Sequence, residues 1–253
     1  MSGSFSANPM QSLKHVEGKD LALTSALLEV GGLTTLSTSD YPGMLAAVVF
    51  CQGCPWRCGY CQNPHLLTRH SAHPLLWREV RDFLRRRRGL LDAVVFSGGE
   101  PTLQKGLLAA VKEVKEMGFK VGLHTGGAYP DRLAKLLPYL DWVGMDIKTR
   151  FAEYDRVTLA PGSGVQAKKS VQLLLESGVD HEFRTTIHPL LISRQQLNLL
   201  AKELAQLGVE HYVLQKFRRK GCANPDLVNA PEQNLSADLC ASVGVQFNHF
   251  TMR

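Results

Sequence analysis

The 253-residue sequence has no apolar run near the ~18–20 residues that cross a bilayer. It opens without the charged start and apolar core of a secretory leader. A cytoplasmic protein with no membrane partner is the expectation. No segment is of low complexity. Aromatic residues make up only 8% of the chain, and none interleaves with the basic run Arg85–Arg88. Nucleic acid is therefore not an expected partner, despite a net charge of +6. The basic run reads as a solvated helix end or as a dock for an acidic protein. Cysteine is scarce too: there are six, and four fall between Cys51 and Cys61. A disulfide framework spreads its cysteines along a small secreted chain, whereas a tight group points to metal or catalysis. Cys222 and Cys240 stand alone and read as small buried side chains.

What is present is a rhythm. Residues 1–25 are polar and aperiodic and read as a flexible lead-in, with 26–253 as one core. Leu28–Leu36 reads as a strand, Tyr41-Pro42-Gly43 as a turn, and Leu45–Phe50 as a fully apolar strand. Further strand-like runs follow at Ala93–Phe96, Lys120–Leu123, Trp142–Met145, Glu182–Ile187 and His211–Leu214. Helical patterns lie between them at Pro74–Arg88, Leu103–Met117, Asp131–Leu137, Gln166–Ser177 and Ser193–Leu207. Strand–helix alternation predicts an α/β fold of parallel strands with right-handed crossovers. Six βα units fit a partial (βα)6 barrel with a short N-terminal strand extension. A doubly wound open sheet fits the periodicity equally well. Val243–Met252 offers one more strand.

In βα folds the site lies at the C-terminal ends of the strands. The segments there are Cys51–Cys61, Ser97–Pro101, His124–Gly127, Asp146–Lys148, Arg184–Pro189 and Gln215–Arg218. All are polar, glycine-rich or metal-binding, which predicts one shared pocket. The spacing Cys54-x3-Cys58-x2-Cys61 lets a short loop hold three corners of an iron–sulfur cube and leaves one iron open. A structural zinc site needs a fourth ligand, from Cys51 or His65, and usually a second cysteine pair, which the chain lacks. Gly98 and Gly99 permit close backbone approach, and Glu100 supplies an anion for a ligand ammonium. Cys51 reads as a strand-end bystander, with a redox relay as the alternative.

The cysteine spacing, with Tyr60 before the last cysteine, resembles the radical S-adenosylmethionine superfamily. Ser97-Gly98-Gly99-Glu100-Pro101 resembles that family's second motif. The resemblance implies one 4Fe–4S cluster held by Cys54, Cys58 and Cys61. It implies S-adenosylmethionine chelating the open iron and broken to methionine and a 5′-deoxyadenosyl radical. A closer resemblance is to glycyl-radical-enzyme activating proteins, and within them to those of anaerobic ribonucleoside-triphosphate reductase. It rests on Gln52-Gly53-Cys54, Cys61-Gln62-Asn63-Pro64 and Asp146-Ile147-Lys148, and it runs from about Gly31 to Arg219. It implies cofactor contacts from Tyr60, Gln62, Gly98, Gly99, Glu100, Thr125, Asp146, Lys148 and Arg184, with His188 and Gln215 on the same rim. It implies two partners, a glycyl radical enzyme and a flavodoxin- or ferredoxin-type electron donor. An exposed ion pair is the plainer reading of Asp146 and Lys148. His124-Thr125-Gly126-Gly127 departs from the Asp-Thr-Asn-Gly of the pyruvate formate-lyase activating relative, which puts a cation site in doubt. His124 reads equally as a satisfied structural histidine. The rival function is a small-molecule or nucleotide-modifying enzyme resembling 7-carboxy-7-deazaguanine synthases.

Overall fold

A computed structural model describes residues 21, 23–71, 73–230 and 237–253. Residues 1–20, most of the expected lead-in, lie outside it. Residues 21 and 23–25 are helical, and Ser25 is buried with its hydroxyl donating to Glu113.

Eight strands form one sheet in strictly sequential order. They are β1 (Val30–Ser37), β2 (Ala46–Cys51), β3 (Ala93–Gly98), β4 (Lys120–Thr125), β5 (Trp142–Asp146), β6 (Asp180–Ile187), β7 (His211–Lys216) and β8 (His249–Met252). β1 pairs antiparallel with β2, and every later pairing is parallel. A doubly wound sheet reverses its strand order at a switch point; this one does not. Among the described residues β1 and β8 are not paired to each other, so the barrel stays open. The parallel set has seven members rather than six, because β8 joins it. That strand is shorter than Val243–Met252, since the helix Ala237–Gly244 occupies the start of that stretch.

Five helices cover the outside of the sheet: α1 (Trp77–Arg86), α2 (Leu107–Glu116), α3 (Pro130–Leu136), α5 (Ser163–Glu176) and α6 (Arg194–Gln206). Two shorter helices, α4 (Tyr154–Thr158) and α7 (Pro225–Asn229), were not legible in the sequence. The stretch Leu103–Met117 is broken: a 3-10 turn at Pro101–Leu103 precedes α2. α6 begins as its pattern predicts, with Ser193 and Gln196 capping each other's backbone N–H. Among the described residues no helix is long and apolar enough to cross a membrane.

Strand period separates two buried layers that the apolar runs conceal. Ala47, Val49, Val94, Phe96, Val121, Leu123, Val143 and Met145 face the helices and pack with Val80, Leu84, Val111, Leu133, Val171 and Leu174. The alternate residues face inward. Ala46, Val48, Ala93, Val95 and Trp142 fill the lower barrel with Tyr41, whose ring lies 5.2 Å from that of Trp142. Toward the C-terminal ends the inward positions turn polar: Ser97, His124, Asp146, Arg184, Thr186 and Gln215. Fold and site are thus two ends of one interior.

Candidate active site

A cavity of about 250 Å3 opens at the C-terminal ends of the strands. Its lining contains the three cysteines and all nine cofactor contacts that the resemblance implies: Cys54, Cys58, Cys61, Tyr60, Gln62, Gly98, Gly99, Glu100, Thr125, Asp146, Lys148 and Arg184. Gln215 lines it too, and His188 does not. His188 is buried between Leu227, whose carbonyl accepts from Nε2, and Leu190, whose N–H donates to Nδ1.

The cysteine loop is held by its neighbours in sequence. Gln52 is buried, and its amide donates to the carbonyls of His65 and Thr68, stapling the returning chain to the end of β2. Gly53 N–H donates to Leu66 and Gly99 N–H to Cys51, while Glu100 N–H donates to Gly53. The second motif is therefore clamped against the first. Gly98 has φ +118°, and a Cβ on Gly99 would run into the Gly53 carbonyl. No other residue type fits either position without backbone movement. Cys51 is fully buried in the outer core, where burial and then Glu100 push its thiol up, and it does not line the cavity. Burial and then Glu100 also push the Cys54 thiol up, to about 12.

The polar side chains are ordered by long-range bonds. Glu100 accepts from Thr102 N–H and hydroxyl and from Thr125 hydroxyl at Oε1, and from Gly126 N–H at Oε2. Oε2 thus retains acceptor capacity. Asp146 accepts from Arg184 Nε at 2.9 Å and from Lys148 Nζ at 3.0 Å. Lys148 and Arg184 expose only 14% and 8% of their side chains, so this is not an exposed ion pair. Burial alone would raise the Asp146 carboxyl, but Lys148 and Arg184 together outweigh it and hold it well below the usual range. Lys148 also sits 5.6 Å from the centre of the Tyr60 ring. His124 donates from Nε2 to the Asp40 carbonyl at 2.8 Å and faces Ser97 Oγ at 3.3 Å with Nδ1. Burial, then Arg184, lowers its pKa to about 3. It is a satisfied histidine that also lines the site. Gln62 lines the cavity while its amide donates to the Arg218 carbonyl. It braces the loop against the segment after β7.

Sequence reading missed Asp40 and Leu67, and it gave no individual role to Trp56 and Thr186, which lie inside the expected segments. Asp40 lies beyond β1, far from any strand end expected to bear on the site. The Trp56 ring, inside the cysteine loop, covers Gly126 and meets Tyr154 edge-on at 5.9 Å.

Among the described residues no three His, Cys, Asp or Glu side chains converge on a point that one ion could occupy. A cluster is larger than an ion, and its thiolates stand further apart. Three thiols of one loop on one cavity, with the fourth turned into the core, suit a cube with one open corner. Beside them the Tyr60 hydroxyl is buried without a partner. The donor set fits a 4Fe–4S cluster.

Comparison with known proteins agrees. The sequence profile of the radical SAM superfamily matches residues 48–197. A Methanocaldococcus jannaschii protein provisionally named a glycyl-radical enzyme activating enzyme is 31% identical over 212 residues, 80% of this chain and 85% of that one. A 7-carboxy-7-deazaguanine synthase of Thermococcus kodakarensis is 28% identical over 148 residues, 50% of this chain and 57% of the synthase. Streptococcus suis SuiB bound to S-adenosylmethionine shares the fold, with a TM-score of 0.62 at 14% identity over all of this chain and 57% of SuiB. A profile that covers more than half of the chain and a relative that spans most of it give the same answer: the protein belongs to the radical SAM superfamily.

Proposed function

We propose that this enzyme activates a glycyl radical enzyme by abstracting a hydrogen atom from a backbone glycine of that partner, and that the partner is anaerobic ribonucleoside-triphosphate reductase. The carrying observation is the 31% identity over 80% of the chain to a relative named for glycyl-radical-enzyme activation. Gln52–Cys54, Cys61–Pro64 and Asp146–Lys148 support the reductase as partner, through the resemblance given above. The open barrel, with no strand pairing between β1 and β8 among the described residues, supports a macromolecular substrate. A partner's own loop can enter and exclude water. The reading places the chain in the cytoplasm, where thiols stay reduced.

The family's cofactors are a 4Fe–4S cluster and S-adenosylmethionine. When bound, the cluster supplies the electron that breaks S-adenosylmethionine into methionine and a 5′-deoxyadenosyl radical. In this reading Cys54, Cys58 and Cys61 hold the cluster, and Cys51 stays in the core. Glu100 Oε2 accepts from the methionine ammonium, a charge-assisted bond in a dry site. Arg184 and Lys148, steered by Asp146, present positive charge to the methionine carboxylate. Tyr60, Gly98, Gly99 and Thr125 shape the walls around the nucleoside, and Gln62 fixes the loop from behind.

The test is anaerobic incubation of the reduced enzyme with S-adenosylmethionine and candidate partners. A glycyl-radical signal in electron paramagnetic resonance is expected on the reductase. A signal on pyruvate formate-lyase instead would correct the partner, and silence on every glycyl radical enzyme would remove the activase reading. The similarity to a 7-carboxy-7-deazaguanine synthase favours a second reading, a small-molecule substrate. Turnover of a pterin-like or nucleobase-like compound without any protein partner would establish it.

A further inference from the structure

Beside the cavity, on the same end of the barrel, lies a second groove of about 210 Å3. Leu107 and Leu136, both almost fully buried, and the half-buried Leu108 form its apolar floor, and its charged lining residues, Lys105, Arg132 and Lys135, are all cations. Among the described residues no carboxylate lies within ion-pair distance of any of the three. The nearby Asp131 carboxylate is bound to Lys169 at 2.8 Å. Arg132 is held in place, donating to the carbonyls of Thr102 and Leu103 and lying 4.7 Å over the Tyr129 ring. Arg69, also exposed, has its backbone against Gly53, the residue before Cys54.

Two touching residues separate groove and cavity. Thr102 lines the groove, and its N–H and hydroxyl donate to Glu100, which lines the cavity. The basic run Arg85–Arg88 leads into the N-terminal end of β3, at the opposite end of the sheet. A group docked there stands a full strand away from the cysteine loop.

We propose that the Lys105–Arg132–Lys135 groove docks the acidic face of a one-electron carrier protein, of the flavin or iron–sulfur class, that reduces the cluster. The inference rests on the cluster assignment above and not on the identity of the activated partner. In the transfer the carrier loses one electron and the cluster gains one, and no bond forms or breaks. Charge complementarity holds the carrier's acidic surface. The shared wall brings the carrier's redox group toward Cys54.

The experiment measures binding first and activity second. An acidic flavodoxin carrying a fluorescent label is titrated anaerobically with the cluster-loaded enzyme and followed by anisotropy. The double variant Lys105→Glu/Lys135→Glu is expected to bind about tenfold more weakly, and the wild-type affinity to fall as salt rises. Its cleavage of S-adenosylmethionine driven by dithionite should match wild type, while flavodoxin-driven cleavage falls. The control Arg85→Glu/Arg88→Glu, at the far end, should bind like wild type. Binding by the groove variant within about twofold of wild type overturns the proposal. So does equal loss in the control, or loss of binding to the glycyl radical enzyme with the flavodoxin unaffected. Failure of dithionite-driven cleavage in the wild type would count against the radical reading instead, and the binding result would stand apart from it.

Discussion

Asp146 is the pivot of the site, and Asp146→Asn isolates its charge with little change of shape. The substitution leaves Lys148 without its carboxylate and Arg184 with only a 4.0 Å carboxylate contact, to Glu182, and these two cations expose 14% and 8% of their side chains. Removing one member of a buried ion group costs about 3–5 kcal/mol. Asp146 exposes 34% of its side chain, toward the cavity, so water screens part of this. About 2–3 kcal/mol remains. For a chain of this size that lowers the melting temperature by about 4–12 °C. The pH dependence gives the sharper signature. The folded carboxyl titrates below its unfolded value, so its stabilisation is present in full above about pH 4 and declines as the pH falls further. The variant has no such stabilisation to lose. The gap between wild type and variant, measured by anaerobic scanning calorimetry, should be constant from neutral pH to about pH 5 and narrow in acid. A melting temperature within about 2 °C of wild type, or a gap that widens in acid, would refute the reasoning.

Four further outcomes follow from the same geometry. Replacing Cys54, Cys58 or Cys61 with Ala should each abolish the brown colour of the anaerobically purified protein, while Cys51→Ala keeps it at a cost of about 1 kcal/mol in packing; a coloured Cys58→Ala protein overturns the ligand set. Gly99→Ala drives a Cβ into the Gly53 carbonyl, which cannot rotate away, and should cost about 1–3 kcal/mol and weaken S-adenosylmethionine binding measured by calorimetry. His124, with its pKa lowered to about 3, should be neutral at pH 6 with its proton on Nε2, as nitrogen chemical shifts can read. Because its unfolded pKa is about 6.5, the folded state loses stability as pH drops from there toward 3, and His124→Gln should flatten that slope. Arg253→Ala leaves the fully buried Glu182 without its bidentate partner and should destabilise the protein more than Glu182→Gln does, read from denaturant midpoints.

The cysteine loop, the Gly-Gly-Glu segment and the six inner strands with the five helices between them were legible in the sequence because each is local. A metal loop is written in consecutive residues, and a parallel strand buried on both faces is an unbroken apolar run. The rule that sites gather at the C-terminal ends of strands then collects Cys54, Glu100, Thr125, Asp146 and Arg184 into one cavity from the sequence alone. Three things needed the tertiary structure. The strand order, sequential rather than reversed, is set by which backbones pair, and a periodic pattern does not encode neighbours. The inner and outer faces of each strand are both apolar in the lower barrel, so composition alone does not separate Trp142 and Tyr41 from Val143. The partners of the buried polar and charged groups come from far away in the chain: the Asp40 carbonyl to His124 across 84 residues, Arg253 to Glu182 across 71 and Arg184 to Asp146 across 38. Such pairs leave no local trace. A buried charge requires some partner, and only the closed fold decides which one reaches it.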